Sequence, residues 1–107
     1  MRLREFELER DYPAVLALWQ TAGPGIHVSQ SDGLAEIAKK LQRDPDLFVV
    51  AEADGHVIGT VLGGFDGRRG LVYHLAVDAA WRGHGIGSAL MNEVEARLIA
   101  RGCHKAY

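Results

Sequence analysis

The sequence has one cysteine in 107 residues, no surplus of basic charge and no long apolar run. Each absence removes a class of protein. Cys103 cannot close an internal disulfide, which excludes a secreted, cystine-stapled scaffold. Twelve Lys and Arg against fourteen Asp and Glu give a net charge of −2, so no nucleic-acid partner is expected. No apolar stretch approaches the roughly 20 residues that span a bilayer, and no membrane association is expected. Met1 to Glu7 carries acidic side chains where a signal peptide has its apolar stretch. The five histidines and Cys103 show no metal-ligand spacing, so no metal site is expected. Prolines number three, all in the first half, and there is no repeat or low-complexity tract. What remains is one soluble, cytoplasmic domain, 1–107, long enough to bury roughly 60–68% of its unfolded surface in a single core.

Periodicity places the elements. Leu3 to Leu8 reads as a first strand. Val15, Leu16, Leu18, Trp19 and Ala22 form one helical face, with Asp11 as N-cap and Pro13 in the first turn. Gly23-Pro24-Gly25 ends that helix. A second helix starts near Ser31, buries Leu34, Ile37, Ala38 and Leu41, and carries Lys39, Lys40 and Arg43 in its last turn, where they suit the dipole. Leu47–Ala53 and His56–Phe65 are apolar runs joined by Asp54-Gly55, a type I′ hairpin signal. After the turn Gly67-Arg68-Arg69-Gly70, Leu71–Val77 is a third antiparallel strand. Ser88–Ala100 is a helix facing inward through Leu90, Met91, Val94, Leu98 and Ile99, closed by Gly102. A last strand begins at Cys103. The fold class is α/β, a mixed sheet covered by helices.

The chemistry lies between the last long strand and the last helix. His74-Leu75-Ala76-Val77 feeds Asp78-Ala79-Ala80-Trp81-Arg82-Gly83-His84-Gly85-Ile86-Gly87-Ser88, where three glycines precede the helix. Glycines let successive N–H groups converge as an anion-binding nest, and a helix start adds unpaired donors and partial positive charge. Phosphate or pyrophosphate is the natural ligand. A P-loop is excluded because Gly87 is followed by Ser88 with no lysine. A dinucleotide fingerprint fits poorly: its third glycine would fall on Leu90 or Ser88, and no chain remains for the acidic ribose ligand.

Arg82-Gly83-His84-Gly85-Ile86-Gly87 resembles the Arg/Gln-x-x-Gly-x-Gly/Ala signature of the GNAT superfamily of acetyl-CoA-dependent N-acetyltransferases. Leu75-Ala76-Val77-Asp78 is similar to the strand preceding that signature. The element order, the Asp54-Gly55 hairpin and Arg101-Gly102-Cys103 match as well, most closely in small bacterial members of the YpeA type. The resemblance implies a GNAT-like, mostly antiparallel sheet flanked by helices and lacking the C-terminal part of the domain. It implies acetyl-CoA as cosubstrate, with the pantetheine arm along the main chain of Leu75, Ala76 and Val77. The pyrophosphate would sit on the N–H groups of Arg82, Gly83, His84, Gly85, Ile86 and Gly87, with Ser88 at the helix start. The acceptor would be a primary amine of a small molecule or protein. The helix that bears the family's thiolate-protonating tyrosine has no counterpart before Tyr107. The alternative expectation is therefore a non-catalytic acyl-CoA-binding fragment.

Other residues have plainer roles beside functional ones. Tyr73 is expected to line the substrate site, since a phenol with pKa near 10 is a poor base, or else to be a packed aromatic. Alternation sends His74 to the opposite face of the strand, buried and hydrogen-bonded. His84 is an exposed loop residue, Arg82 supports the loop, and Cys103 is a small apolar residue. Glu52 and Asp54 are solvated carboxylates near the hairpin; Trp19, Val15 and Leu18 are core; Trp81 is undecided. The acceptor pocket of the family involves the Gly23–His27 region. The open strand at Cys103 and the apolar residues of Val72–Val77 lead to the expectation of a homodimer.

Overall fold

Residues 48–53, Phe-Val-Val-Ala-Glu-Ala, open apolar on both faces, as a strand covered on two sides must be. In the computed structural model of the chain, which describes residues 1–21 and 33–103, this run is an inner strand. The sheet comprises β1 (Arg2–Glu5), β2 (Phe48–Ala53), β3 (His56–Phe65) and β4 (Gly70–Val77), in that spatial order and antiparallel throughout. Helices α1 (Leu8–Thr21) and α2 (Leu34–Arg43) lie on one face, and α3 (Ile86–Ala100) lies on the other. Phe48 and Val50 pack with Val15, Trp19 and Ile37, the Phe6, Phe48 and Trp19 rings stacking in sequence. Val49 and Ala51 turn the other way, onto Ile86, Leu90 and Val94. The alternation of β2 thus builds two cores, one on each side of the sheet.

The α/β class and the element order agree with the sequence reading. Asp54 and Gly55 both take positive φ, +53° and +78°, as a type I′ turn demands. Several boundaries differ. Strand β1 ends at Glu5 because the chain has turned into α1 by Leu8. Strand β4 gains Gly70, and α3 starts at Ile86 rather than Ser88. Leu34 and Ile99, expected inside, are exposed. The buried stripe of α3 runs Ile86, Leu90, Val94, Leu98 at four-residue spacing, and Ile99 falls about 100° off it. Leu34 opens α2, beyond the packing of Ile37. The start of the second helix near Ser31, the Gly23–His27 segment and the last strand beyond Cys103 lie outside the described residues.

Asp11 is not the N-cap that its position suggested. Helix α1 begins three residues earlier, and the Asp11 carboxylate is buried. It accepts two hydrogen bonds from the Arg4 guanidinium, at 2.7 and 2.9 Å, and one from the Glu7 N–H at 2.8 Å. Arg4, itself buried, also reaches Glu52 at 3.0 Å, joining β1, α1 and β2. A second cluster binds the far end: Asp44 accepts from Lys40 at 2.7 Å and from Arg101 at 2.8 Å, and Arg101 also holds Asp46. Burial raises the Asp11 and Asp44 carboxyls, but the hydrogen bonds and charges of their cationic partners outweigh it and leave both below the ordinary value.

These groups set an acid limit on stability. Each carboxyl is depressed in the folded state, so its contribution is complete above the unfolded value near 3.9 and is lost as pH falls through the lower folded value. Urea midpoints should be level above about pH 5 and should fall below about pH 4. Asp11→Ala leaves the buried Arg4 with Glu52 as its remaining carboxylate and should lower unfolding free energy at pH 7 by about 2–3 kcal/mol, measured by urea denaturation.

Candidate functional site

The site starts from a bulge. Thr60 pairs with Ala76 but Leu62 pairs with Tyr73, so β4 carries one extra residue opposite Val61. His74 absorbs it with φ +52°, a left-handed conformation unusual for a non-glycine residue. The bulge cancels the alternation expected for this strand. The His74 ring lies edge-on to Trp19, centroids 5.0 Å apart, and edge-on to Tyr73 at 5.3 Å. Both aromatic side chains therefore share the face covered by α1 and α2, instead of taking opposite faces. His74 is half-buried rather than buried.

Beyond the bulge, β4 ends in a short turn that aims the loop. The Asp78 N–H donates to Ile58 at 2.8 Å, and its carboxylate accepts from the Ala80 N–H at 2.9 Å, starting a 3-10 turn over Ala79–Trp81. The Trp81 indole packs against the α3-side core, which decides the one position left open by the sequence. The His84 ring tilts against Trp81 at 5.8 Å and is otherwise exposed. Gly83 and Gly85 take φ +84° and +77°, and Gly85 is the N-cap of α3. An L side chain there is strained by its backbone although nothing lies within 4 Å of its Cβ position.

The start of α3 is an uncompensated positive end. The first helical bond runs from the Ala89 N–H to the Gly85 carbonyl. The N–H groups of Ile86, Gly87 and Ser88 precede it, Gly85 has no side chain to cap them, and the first turn holds no acidic residue. The Ile86 side chain is buried at 4% exposure, so only its main chain faces the loop; Ser88 is exposed. A Cβ on Gly87 would meet only Leu75 Cδ2 at 4.0 Å and Val77 Cγ2 at 3.9 Å. The end of β4 and the helix start, far apart in the reading of the sequence only by a loop, are thus in direct contact. Ala76 lies on the opposite side, buried against the α1-side core, and contributes main chain alone. The other edge of β4 has no strand partner among the described residues.

Sequence reasoning missed a second feature. A groove of about 510 Å³ lies between the end of α2 and the β3–β4 turn, lined by Lys40, Arg43, Arg69, Leu71 and Tyr73 over Gly64. In the sequence its residues stand apart, on a helix terminus, a tight turn and the start of a strand, with Tyr73 alone expected to line a substrate site; Asp44 and Asp66 also line it. Among the described residues no group of three or more His, Cys, Asp or Glu is placed to hold a metal ion, and no helix is long and apolar enough to cross a membrane.

Residues 7–107 match the family described as Acetyltransferase (GNAT) family. The chain belongs to this family. It is 43% identical over 107 residues to acetyltransferase ECA0875 of Pectobacterium atrosepticum, a match covering all of this chain and 74% of that protein. Among solved structures, it is similar to Ard1 from Thermoplasma volcanium, with TM-score 0.79, 25% identity, and coverage of 95% of this chain and 66% of that one. Rv2747 from Mycobacterium tuberculosis, solved in complex with CoA, gives TM-score 0.77 and 26% identity over 94% of this chain and 59% of that one. The expected fold and the expected enzyme class, an acyltransferase with acetyl-CoA as cosubstrate, are both supported by these matches. The GNAT chain spans about three quarters of its curated relative.

The two glycines at the helix start should separate backbone strain from surface space. Gly85→Ala forces an L residue into the left-handed region and should cost about 1–2 kcal/mol. Gly87→Ala meets only ordinary van der Waals contacts in a helix and should be neutral or slightly stabilising. Thermal unfolding of the two variants checks the contrast.

Proposed function

We propose that this GNAT chain transfers the acetyl group of acetyl-CoA to a primary amine of a small molecule or protein. The observation that carries the reading is the uncapped start of α3, with no acidic residue in its first turn, set against Leu75 and Val77 of β4. The main-chain N–H groups of residues 83–87, with Ser88, hold the pyrophosphate, where backbone donors and the helix dipole act together. The Arg82 N–H turns back to the Ala79 carbonyl at 3.5 Å. The main chain of Leu75, Ala76 and Val77 pairs with the pantetheine arm along the edge of β4 that has no strand partner among the described residues, as one strand pairs with another. Acetyl-CoA supplies an activated acetyl carbonyl as a thioester. An amide bond forms between the acceptor nitrogen and that carbon, the C–S bond breaks, and a proton passes from nitrogen to the departing sulfur.

The chain contributes positioning and a main-chain N–H of β4 as oxyanion donor. Tyr73 lines the acceptor side. Cys103 is buried under Leu98 and Gly70 and takes no part as a nucleophile, so transfer is direct. A cytoplasmic location and a homodimer belong to the same reading. The support for the dimer is the exposed apolar side chains of the outermost of the described strands, Leu71 and Tyr73 on the α2 side and Leu75, beyond the bulge, on the α3 side.

Calorimetric titration with CoA tests the site. The unmodified chain should bind, and Gly87→Glu, which sets a carboxylate where the phosphates belong, should weaken binding at least tenfold. Gly87→Glu should still unfold at the temperature of Gly87→Ala. Equal CoA affinity in both variants would refute the assignment.

A further inference from the structure

We propose that the groove between α2 and the β3–β4 turn selects the acceptor, and that it selects amines which also carry a carboxylate, as an amino acid does. This rests on the reading of the chain as an acetyl-CoA-dependent acetyltransferase and adds the class of its acceptor. Three cations line the groove: Lys40 and Arg43 from α2 and Arg69 from the turn. The two carboxylates beside them are already committed. Asp44 is buried and shared between Lys40, Arg101 and, at 3.8 Å, Arg43. Asp66 accepts the N–H groups of Arg68 and Arg69 at 2.9 and 2.7 Å, which hold it below the ordinary carboxylate value and close the turn.

The cations retain donors for a ligand. Arg69 makes no salt bridge or side-chain hydrogen bond among the described residues, and its charge acts on Asp66 across the turn. Arg43 gives one N–H to the Phe65 carbonyl at 3.0 Å, and Lys40 gives one of its three to Asp44. At the floor the Lys40 side chain stands over Gly64. A Cβ on Gly64 would stand 3.2 Å from Lys40 Nζ and 4.0 Å from Tyr73 Cε1, so the ammonium and the phenol ring converge over the one residue there that has no side chain.

Charge and length decide the acceptor. A carboxylate is met by guanidinium and ammonium donors, whereas an amine without one brings a further positive charge to a lining of three cations and two carboxylates, net +1. Tyr73 lies at the groove opposite Leu62, and Ala76 lies opposite Thr60 on the same face, two β3 residues or about 7 Å further on, which is the reach of a lysine side chain from its carboxylate to its terminal amine. An acceptor anchored by its carboxylate at Lys40 and Arg69 therefore extends its amine past Tyr73 toward the stretch of β4 assigned to pantetheine.

Calorimetry on the unmodified chain, with and without CoA, tests this with two matched pairs: L-phenylalanine against phenethylamine, and L-lysine against cadaverine. Each amino acid should bind at least tenfold more tightly than its decarboxylated partner. Arg69→Gln and Arg43→Gln should each reduce that preference several-fold, with unfolding temperature and CoA affinity unchanged. Equal binding within the pairs, no binding by any of the four, or an undiminished preference in both variants would overturn the proposal. Failure of CoA itself to bind would refute the acetyltransferase reading, while the titrations without CoA still report on the groove.

Discussion

Helix α3 can lie as close to the sheet as it does only because β3 carries glycine beneath it. A Cβ on Gly59 would stand 3.0 Å from Leu90 Cδ1, and one on Gly63 would stand 2.7 Å from Val94 Cγ2. The Gly63 distance is too short for a real side chain, and the Gly59 distance needs the Leu90 side chain to give by a few tenths of an ångström. A methyl group on Gly63 would lift the helix or push Val94 off its rotamer, at a cost of about 1–3 kcal/mol. The height and tilt of α3 follow from this contact, and its first turn is thereby carried to the end of β4. Gly87 then meets Leu75 and Val77, and the unpaired N–H groups of the helix start open beside the strand edge. The nest owes its location to packing two turns further along the helix.

The other face of the sheet is organised by charge as well as by packing. Arg4 and Asp11 bind α1 to β1 and β2 from within, a buried pair whose full set of hydrogen bonds offsets its desolvation. The Asp44 and Asp46 cluster does the same between α2 and the end of α3. These pairings use up carboxylates and leave basic groups facing the groove. An acidic chain, net −2, therefore presents a positive groove. Overall charge speaks to solubility and bulk partners; the local field depends on which charges are already neutralised.

What the sequence made legible was local. Asp54-Gly55 names its turn because only two residues with positive φ fit it, and the glycine pattern before α3 names a helix start that faces an anion. The inward face of α3 was readable through Leu90, Val94 and Leu98. Features that depend on distant partners were not readable. Asp11 looks like a cap until Arg4 and Glu52 are brought to it, and Ile99 looks apolar enough to be buried until the sheet sets the helix rotation. At His74 one extra residue moves a side chain to the other face, and no composition signal marks it. The groove joins residues 40–44 to residues 64–73, which only the antiparallel pairing of β3 and β4 against α2 brings together.

The central claim is that the start of α3 and the end of β4 form one cosubstrate site. Amide chemical shifts followed by NMR during titration with CoA test it most directly. The account predicts that the largest changes fall on the N–H groups of Ile86, Gly87 and Ser88 and on Leu75, Ala76 and Val77, with β1 unaffected. Saturable CoA binding that leaves those six amides unmoved would contradict it.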